Sequence, residues 1–95
     1  MTKYEVMYIV RPTVEGEDLK KVINDINNIF TSRGSKINET KELGLKDLAY
    51  EIEGFKKGFY VWMSVEANND AVNEYNRVVR INENIIRDII VNDEE

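Results

Sequence analysis

The side chains best suited to covalent and metal chemistry are missing from this sequence. It contains no cysteine and no histidine. Disulfides, thiol nucleophiles, Ser/His/Asp triads, zinc sites built on Cys or His and histidine pH switches are therefore excluded. Carboxylates remain, and with them paired-acid hydrolysis or a magnesium site. Yet Glu15, Glu17 and Asp18 fall where a helix begins, and Asp93, Glu94 and Glu95 form an acidic end. Neither group sets an acid against a base. No glycine-rich phosphate loop of the P-loop or dinucleotide type occurs. Arg11 follows the first apolar run, where acyl-phosphate enzymes carry an arginine, but Pro12 and Thr13 replace the glycine cradle of N–H groups. The residues point to no enzyme, no metal, no cofactor and no small-molecule substrate.

What remains is recognition without covalent chemistry. The materials for it are a pair of aromatic residues, Tyr60 and Trp62, and a scatter of cations: Lys3, Lys41, Lys46, Lys56, Lys57, Arg80 and Arg87. Their meaning depends on the elements that carry them. A length of 95 residues suits one domain, 1–95, ending in a short acidic stretch at 92–95. Apolar residues at 42% and charged residues at 33% fit a folded globular chain and argue against a disordered tail. The net charge of -5 excludes a strongly basic nucleic-acid wrapper, so any anion site must be a local patch. No signal-peptide pattern and no membrane-length apolar run occurs, so the expected compartment is the cytoplasm.

Tyr4 to Val10 alternates as a strand, with Tyr4, Val6, Tyr8 and Val10 on one face and Glu5, Met7 and Ile9 on the other. Both faces are largely apolar, which suits a central strand. From about Glu15 to Ser32, Leu19, Val22, Ile23, Ile26, Ile29 and Phe30 recur at helical steps, and Arg33-Gly34 closes the helix. Lys36 to Ile52 reads as a long strand bulged near Gly44. Gly54 to Gly58 is the expected turn of an antiparallel hairpin into Phe59–Glu66. A second helix is expected from about Asp70 to Arg80, and a last strand from Ile85 to Val91. The order β-α-β-β-α-β, with right-handed crossovers, specifies a ferredoxin-like α+β sandwich. Its four-stranded antiparallel sheet has strand order 4-1-3-2, with both helices on one face.

The other face of that sheet then meets solvent or a partner. Alternation places Met7, Ile9, Tyr60 and Trp62 there, on neighbouring central strands. Either loops and side-chain stems cover this cluster, or it is a platform for docking a protein or stacking bases. Lys3, Lys46, Lys56, Lys57, Arg80 and Arg87 are expected around its rims, where solvated charges and phosphate contacts are the competing readings.

The segments Lys3-Tyr4-Glu5-Val6, Leu43-Gly44-Leu45-Lys46-Asp47-Leu48-Ala49-Tyr50-Glu51-Ile52, Gly58-Phe59-Tyr60-Val61-Trp62-Met63-Ser64-Val65-Glu66 and Arg80-Ile81-Asn82-Glu83-Asn84 resemble, in order, the bacterial ribosomal protein S six family of the small subunit. The chain departs from that family's usual pattern at Thr2, often arginine, and at Asp47, often basic. The resemblance implies a ferredoxin-like fold, a structural role in the ribosome, and binding to central-domain small-subunit ribosomal RNA as a heterodimer with ribosomal protein S eighteen. It makes Lys3, Lys46, Lys56, Lys57, Arg80 and Arg87 the candidate RNA contacts and Met7, Ile9, Tyr60 and Trp62 the candidate partner contacts. A free-standing RNA binder and a ligand-binding regulatory domain of the same fold are the alternatives.

Overall fold

The computed structural model describes residues 1–93. Its elements run β1 (Thr2–Val10), α1 (Gly16–Thr31), β2 (Lys36–Ile52), β3 (Phe55–Ala67), α2 (Asn69–Ile81) and β4 (Ile85–Asn92). They form one antiparallel sheet in the order β2-β3-β1-β4, as the sequence predicts. Both helices pack on the face that carries Val6, Tyr8, Val10, Val61, Met63 and Val65. That face and the buried stripe of α1, with Ile26 and Phe30 wholly inaccessible, make the core.

Local chemistry sets the helix ends. Gly34 adopts φ 74°, the Ser35 N–H donates to the Phe30 carbonyl at 3.0 Å and the Gly34 N–H to the Thr31 carbonyl at 3.3 Å. This is the glycine-terminated motif anticipated at Arg33-Gly34. Asn68 caps α2 by accepting the Ala71 N–H at 2.9 Å. The Asn68 amide also donates to the Arg33 carbonyl at 2.9 Å, while the Arg33 guanidinium meets Asp70 at 3.5 Å and Glu74 at 3.4 Å. The end of α1 and the start of α2 are thereby tied together.

The β2–β3 hairpin differs from the expected one. Its turn is Glu53-Gly54, with φ 49° and 85°, instead of a loop over Gly54–Gly58. Two consecutive left-handed residues match the twist of a two-residue hairpin, so β3 begins at Phe55. Lys56 and Lys57 therefore belong to a strand and not to a turn. The expected irregularity near Gly44 is present: Glu42 pairs with Val61 and Gly44 with Tyr60, leaving Leu43 as the extra residue. A larger offset separates Asp47, opposite Lys57, from Ile52, opposite Phe55. Of the acidic end, Asn92 completes β4 and the Asp93 N–H donates to the Lys3 carbonyl at 2.8 Å. Glu94 and Glu95 lie outside the described residues.

Two packing features generate tests. A Cβ on Gly58 would collide with Ile9 Cγ2 and stand 3.5 Å from Leu48 Cδ2 and the Val10 carbonyl. Ile9 Cγ2 is a stiff branch methyl wedged between strands, so Gly58→Ala should lower stability by about 1–3 kcal/mol. A urea midpoint that falls at constant slope is the expected result.

The hydroxyls of Tyr8 and Tyr75 are buried without a hydrogen-bond partner among the described residues. Burial raises both phenol pKa values, with smaller contributions from Glu42 at Tyr8 and from Asp88 and Tyr8 at Tyr75. These acids are held neutral in the fold and ionise near pH 10 once unfolded. Their contribution is complete below that pH and is lost as the pH rises above it. In an ultraviolet titration, two of the five tyrosines should stay protonated until the chain unfolds.

Candidate nucleic-acid and partner interface

The open face is built in rows that follow from the pairing registers. Lys41, Trp62, Met7 and Ile89 lie side by side across β2, β3, β1 and β4. On one side of that row come Glu39, Ser64, Glu5 and Val91; on the other, Gly44, Tyr60, Ile9 and Arg87. Met7, Tyr60 and Trp62 are half-buried, so their apolar surface is partly presented. The Trp62 indole N–H donates to Glu5 Oε1 at 3.2 Å, and Lys41 Nζ lies 5.4 Å from the ring centroid. One ring face therefore has a cation above it, and the ring edge is anchored. A hydrogen-bonded, partly desolvated indole is a more rigid docking element than a free one.

Ile9 departs from expectation. It lies on the open-face side of β1 but is only 9% exposed. Gly58 has no side chain, which lets Ile9 settle into the space above it beside Leu48. Ile9 is thus largely covered and forms part of the floor of this face. The surplus residues of β2 between Asp47 and Ile52 bring Tyr50 to the same groove as Met7, Ile9 and Ile89.

Sequence reasoning missed Ile89 and Val91, which are 55% and 44% exposed. Their signal was available. Once β4 is placed beside β1, alternation puts Arg87, Ile89 and Val91 on the open face. Tyr50, 66% exposed, had no such signal, because an irregular register sets its direction.

The six candidate cations do not form one cluster. Lys46 is exposed on β2 opposite Gly58, and Lys56 is exposed near the hairpin turn; neither takes part in an ion pair among the described residues. Lys57 is paired with Asp47 at 3.5 Å. Lys3 lies at the far end of β1 and meets Asp93 at 3.8 Å. Arg87 is exposed in the row of Ile9 and Tyr60. Arg80 does not rim the open face at all. It stands in the last turn of α2, in the helix layer on the other face of the sheet. It nevertheless shares a groove at the margin of β4 with Arg87, Glu53, Glu83 and Asp88. Partial burial raises the Asp88 carboxyl pKa there, and the Arg80 charge opposes that shift. Among the described residues no cluster of three or more Asp or Glu could hold a metal, and no helix is long and apolar enough to cross a membrane.

Comparison with known proteins agrees with this arrangement. The family model for ribosomal protein S6 matches residues 3–92. The chain is 50% identical over 95 residues to the small ribosomal subunit protein bS6 of Onion yellows phytoplasma (strain OY-M), covering all of both chains. It is also 50% identical over 95 residues to the bS6 protein of Acholeplasma laidlawii (strain PG-8A), again over both full lengths. Among solved structures, 30S ribosomal protein S6 from Thermotoga maritima superposes with a TM-score of 0.90 at 26% identity, covering 96% of this chain and 86% of that one. The half-covered apolar sheet face, the sandwich beneath it and these matches together place the chain in the ribosomal protein S6 family of the small ribosomal subunit, a structural family and not an enzymatic one.

Proposed function

We propose that the chain binds small-subunit ribosomal RNA in its central domain as a heterodimer with ribosomal protein S eighteen. As a member of a ribosomal family, its place is the cytoplasmic ribosome. The observation that carries the reading is the open sheet face, where Met7, Tyr60 and Trp62 present apolar surface on the same side of the sheet as Lys46 and Arg87, two cations in no ion pair among the described residues. The apolar centre suits a protein partner, and the cations beside it suit phosphate oxygens.

Charge assigns the division of labour. With 18 acidic and 13 basic residues, the chain as a whole repels RNA. A basic partner supplies most of the phosphate neutralisation, and this chain orders that partner and adds local contacts. Fixing one binding surface lowers the entropic cost of the next association, so assembly is cooperative. Lys46, Lys56 and Arg87 are the strongest RNA candidates because no carboxylate among the described residues holds them. Lys3 and Lys57 would have to exchange Asp93 and Asp47 for a phosphate. Arg80 would act with Arg87 across the β4 margin, on any RNA that wraps past the sheet.

The heterodimer should bind a central-domain RNA fragment much more tightly than the chain alone. In a salt titration of that heterodimer, Lys46→Ala or Arg87→Ala should shallow the log–log slope by roughly one unit each, without changing which RNA is preferred. Unchanged slope and affinity in both variants would leave the RNA to the partner or to another surface.

Trp62→Ala should weaken association with the partner by about 2 kcal/mol or more, the usual cost of truncating an aromatic anchor. Calorimetry of the two proteins without RNA measures this directly. Trp62→Phe, which keeps a ring but loses the bond to Glu5, should retain most of the affinity. Equal affinity of wild type and Trp62→Ala would exclude this face as the partner site.

A further inference from the structure

Arg11, just beyond the end of β1, is a cation that the RNA reading leaves unused. Its backbone is fixed: the Arg11 N–H donates to the Asn84 carbonyl at 2.9 Å, and the Arg11 carbonyl accepts the Val14 N–H at 3.2 Å. Its side chain takes part in no ion pair and no hydrogen bond among the described residues, and the guanidinium Nε is buried. Buried donors are almost always paired, so an unpaired guanidinium N–H marks a position that an acceptor would stabilise. Arg11 lines a groove of about 290 Å³ on the helix side of the sheet, between α1 and the link from α2 to β4.

Asp18 lines the same groove from the first turn of α1. It too takes part in no ion pair and no side-chain hydrogen bond among the described residues. Lys21 and Asp25, also in the lining, hold each other at 2.9 Å. Two cations, Arg11 and Lys21, thus stand with two carboxylates, Asp18 and Asp25, and the groove has no net charge. Within it one cation and one carboxylate remain unpaired. From the α2–β4 link, Asn82 uses its amide oxygen to accept the Asn84 N–H at 2.9 Å, which leaves its NH2 group as a donor. The side-chain amide of Asn84 has no partner among the described residues.

We propose that this groove binds a small zwitterion, a molecule that carries a carboxylate and an ammonium on one short skeleton, as an amino acid does. Arg11 takes the carboxylate, because a planar guanidinium offers parallel donors that match its two oxygens. The amides of Asn82 and Asn84 add uncharged donors. Asp18 takes the ammonium. Charge selects this class over its neighbours. A phosphate would gain Arg11 and meet Asp18, and a bare amine would gain Asp18 and meet Arg11. A volume of about 290 Å³ is at the lower end for ligand pockets, which suits a molecule well below nucleotide size. The groove lies across the sheet from Met7, Tyr60 and Trp62, so the proposal does not depend on the RNA reading.

Glycine, β-alanine and γ-aminobutyrate set the two charges progressively further apart and serve as probes. Acetate, methylammonium and inorganic phosphate are the controls of one sign. Each is titrated into the isotope-labelled full chain at constant ionic strength, while NMR follows the Arg11 side-chain N–H and the backbone amides of Asp18 and Asn84. At least one zwitterion should shift these resonances saturably, with an affinity about tenfold or more above that of acetate and of methylammonium. No saturable shift with any of the three overturns the proposal. Equal binding of acetate or phosphate also overturns it, since the groove would then be a plain anion site. Arg11→Gln should weaken the best zwitterion about tenfold or more, and so should Asp18→Asn. Asp18 is exposed on a helix, so its variants keep the test decisive even if Arg11→Gln fails to fold. Asp18→Lys should turn the preference toward acetate. An affinity indifferent to both Asp18 changes overturns the pairing on which the proposal rests.

Discussion

The register of β1 on β3 is the constraint on which the rest of the molecule depends. Val6 opposes Met63 and Met7 opposes Trp62. Even-numbered residues of β1 consequently face the helices, and odd-numbered ones face outward. A slip of one residue would send Val6, Tyr8 and Val10 to solvent and Met7 and Ile9 into the core. The core stabilises one register only, because α1 and α2 offer their apolar stripes to a single face. Everything said of the open face, including its rows of Trp62, Met7 and Ile89, is a by-product of that choice.

The open face is assembled from weaker interactions than the core. The bond from Trp62 to Glu5 and the Lys41 ammonium above the indole hold the ring. Each contributes little in the free protein, since exposed charge interactions are screened by water and salt. Their consequence is geometric: a flat ring is kept in one orientation before anything binds. Ile9 contributes in the same way from below, filling the space that Gly58 leaves.

Electrostatics divides the cations by what they already hold. Lys3, Lys57 and Arg33 sit beside carboxylates, and binding a phosphate would mean giving those up. Lys46, Lys56 and Arg87 have no such competitor among the described residues. A chain with net charge -5 can therefore still offer individual cations to phosphate while staying acidic overall.

Much of this was legible in the residues alone. Helical periodicity in Leu19 to Phe30, glycine at 34, and strict alternation in Tyr4–Val10 and Phe59–Glu66 are local properties. Local sterics and burial decide them, so element order, strand order and the inward face followed. The absence of Cys and His, and the spacing of the carboxylates, likewise bounded the chemistry without coordinates. Four features needed the tertiary structure. The hairpin turn fell at Glu53-Gly54, because a non-glycine residue accepted a left-handed φ that its type does not advertise. Ile9 was covered, because the open space above Gly58 lies on a neighbouring strand. Arg80 went to the helix layer, because only packing says where a helix end points. Tyr50 reached the groove of Met7 and Ile89, because an irregular register in β2 sets its direction. Periodicity states which residues share a face; what lies across from that face is decided by long-range pairing, and residues distant in sequence carry no local signal of it.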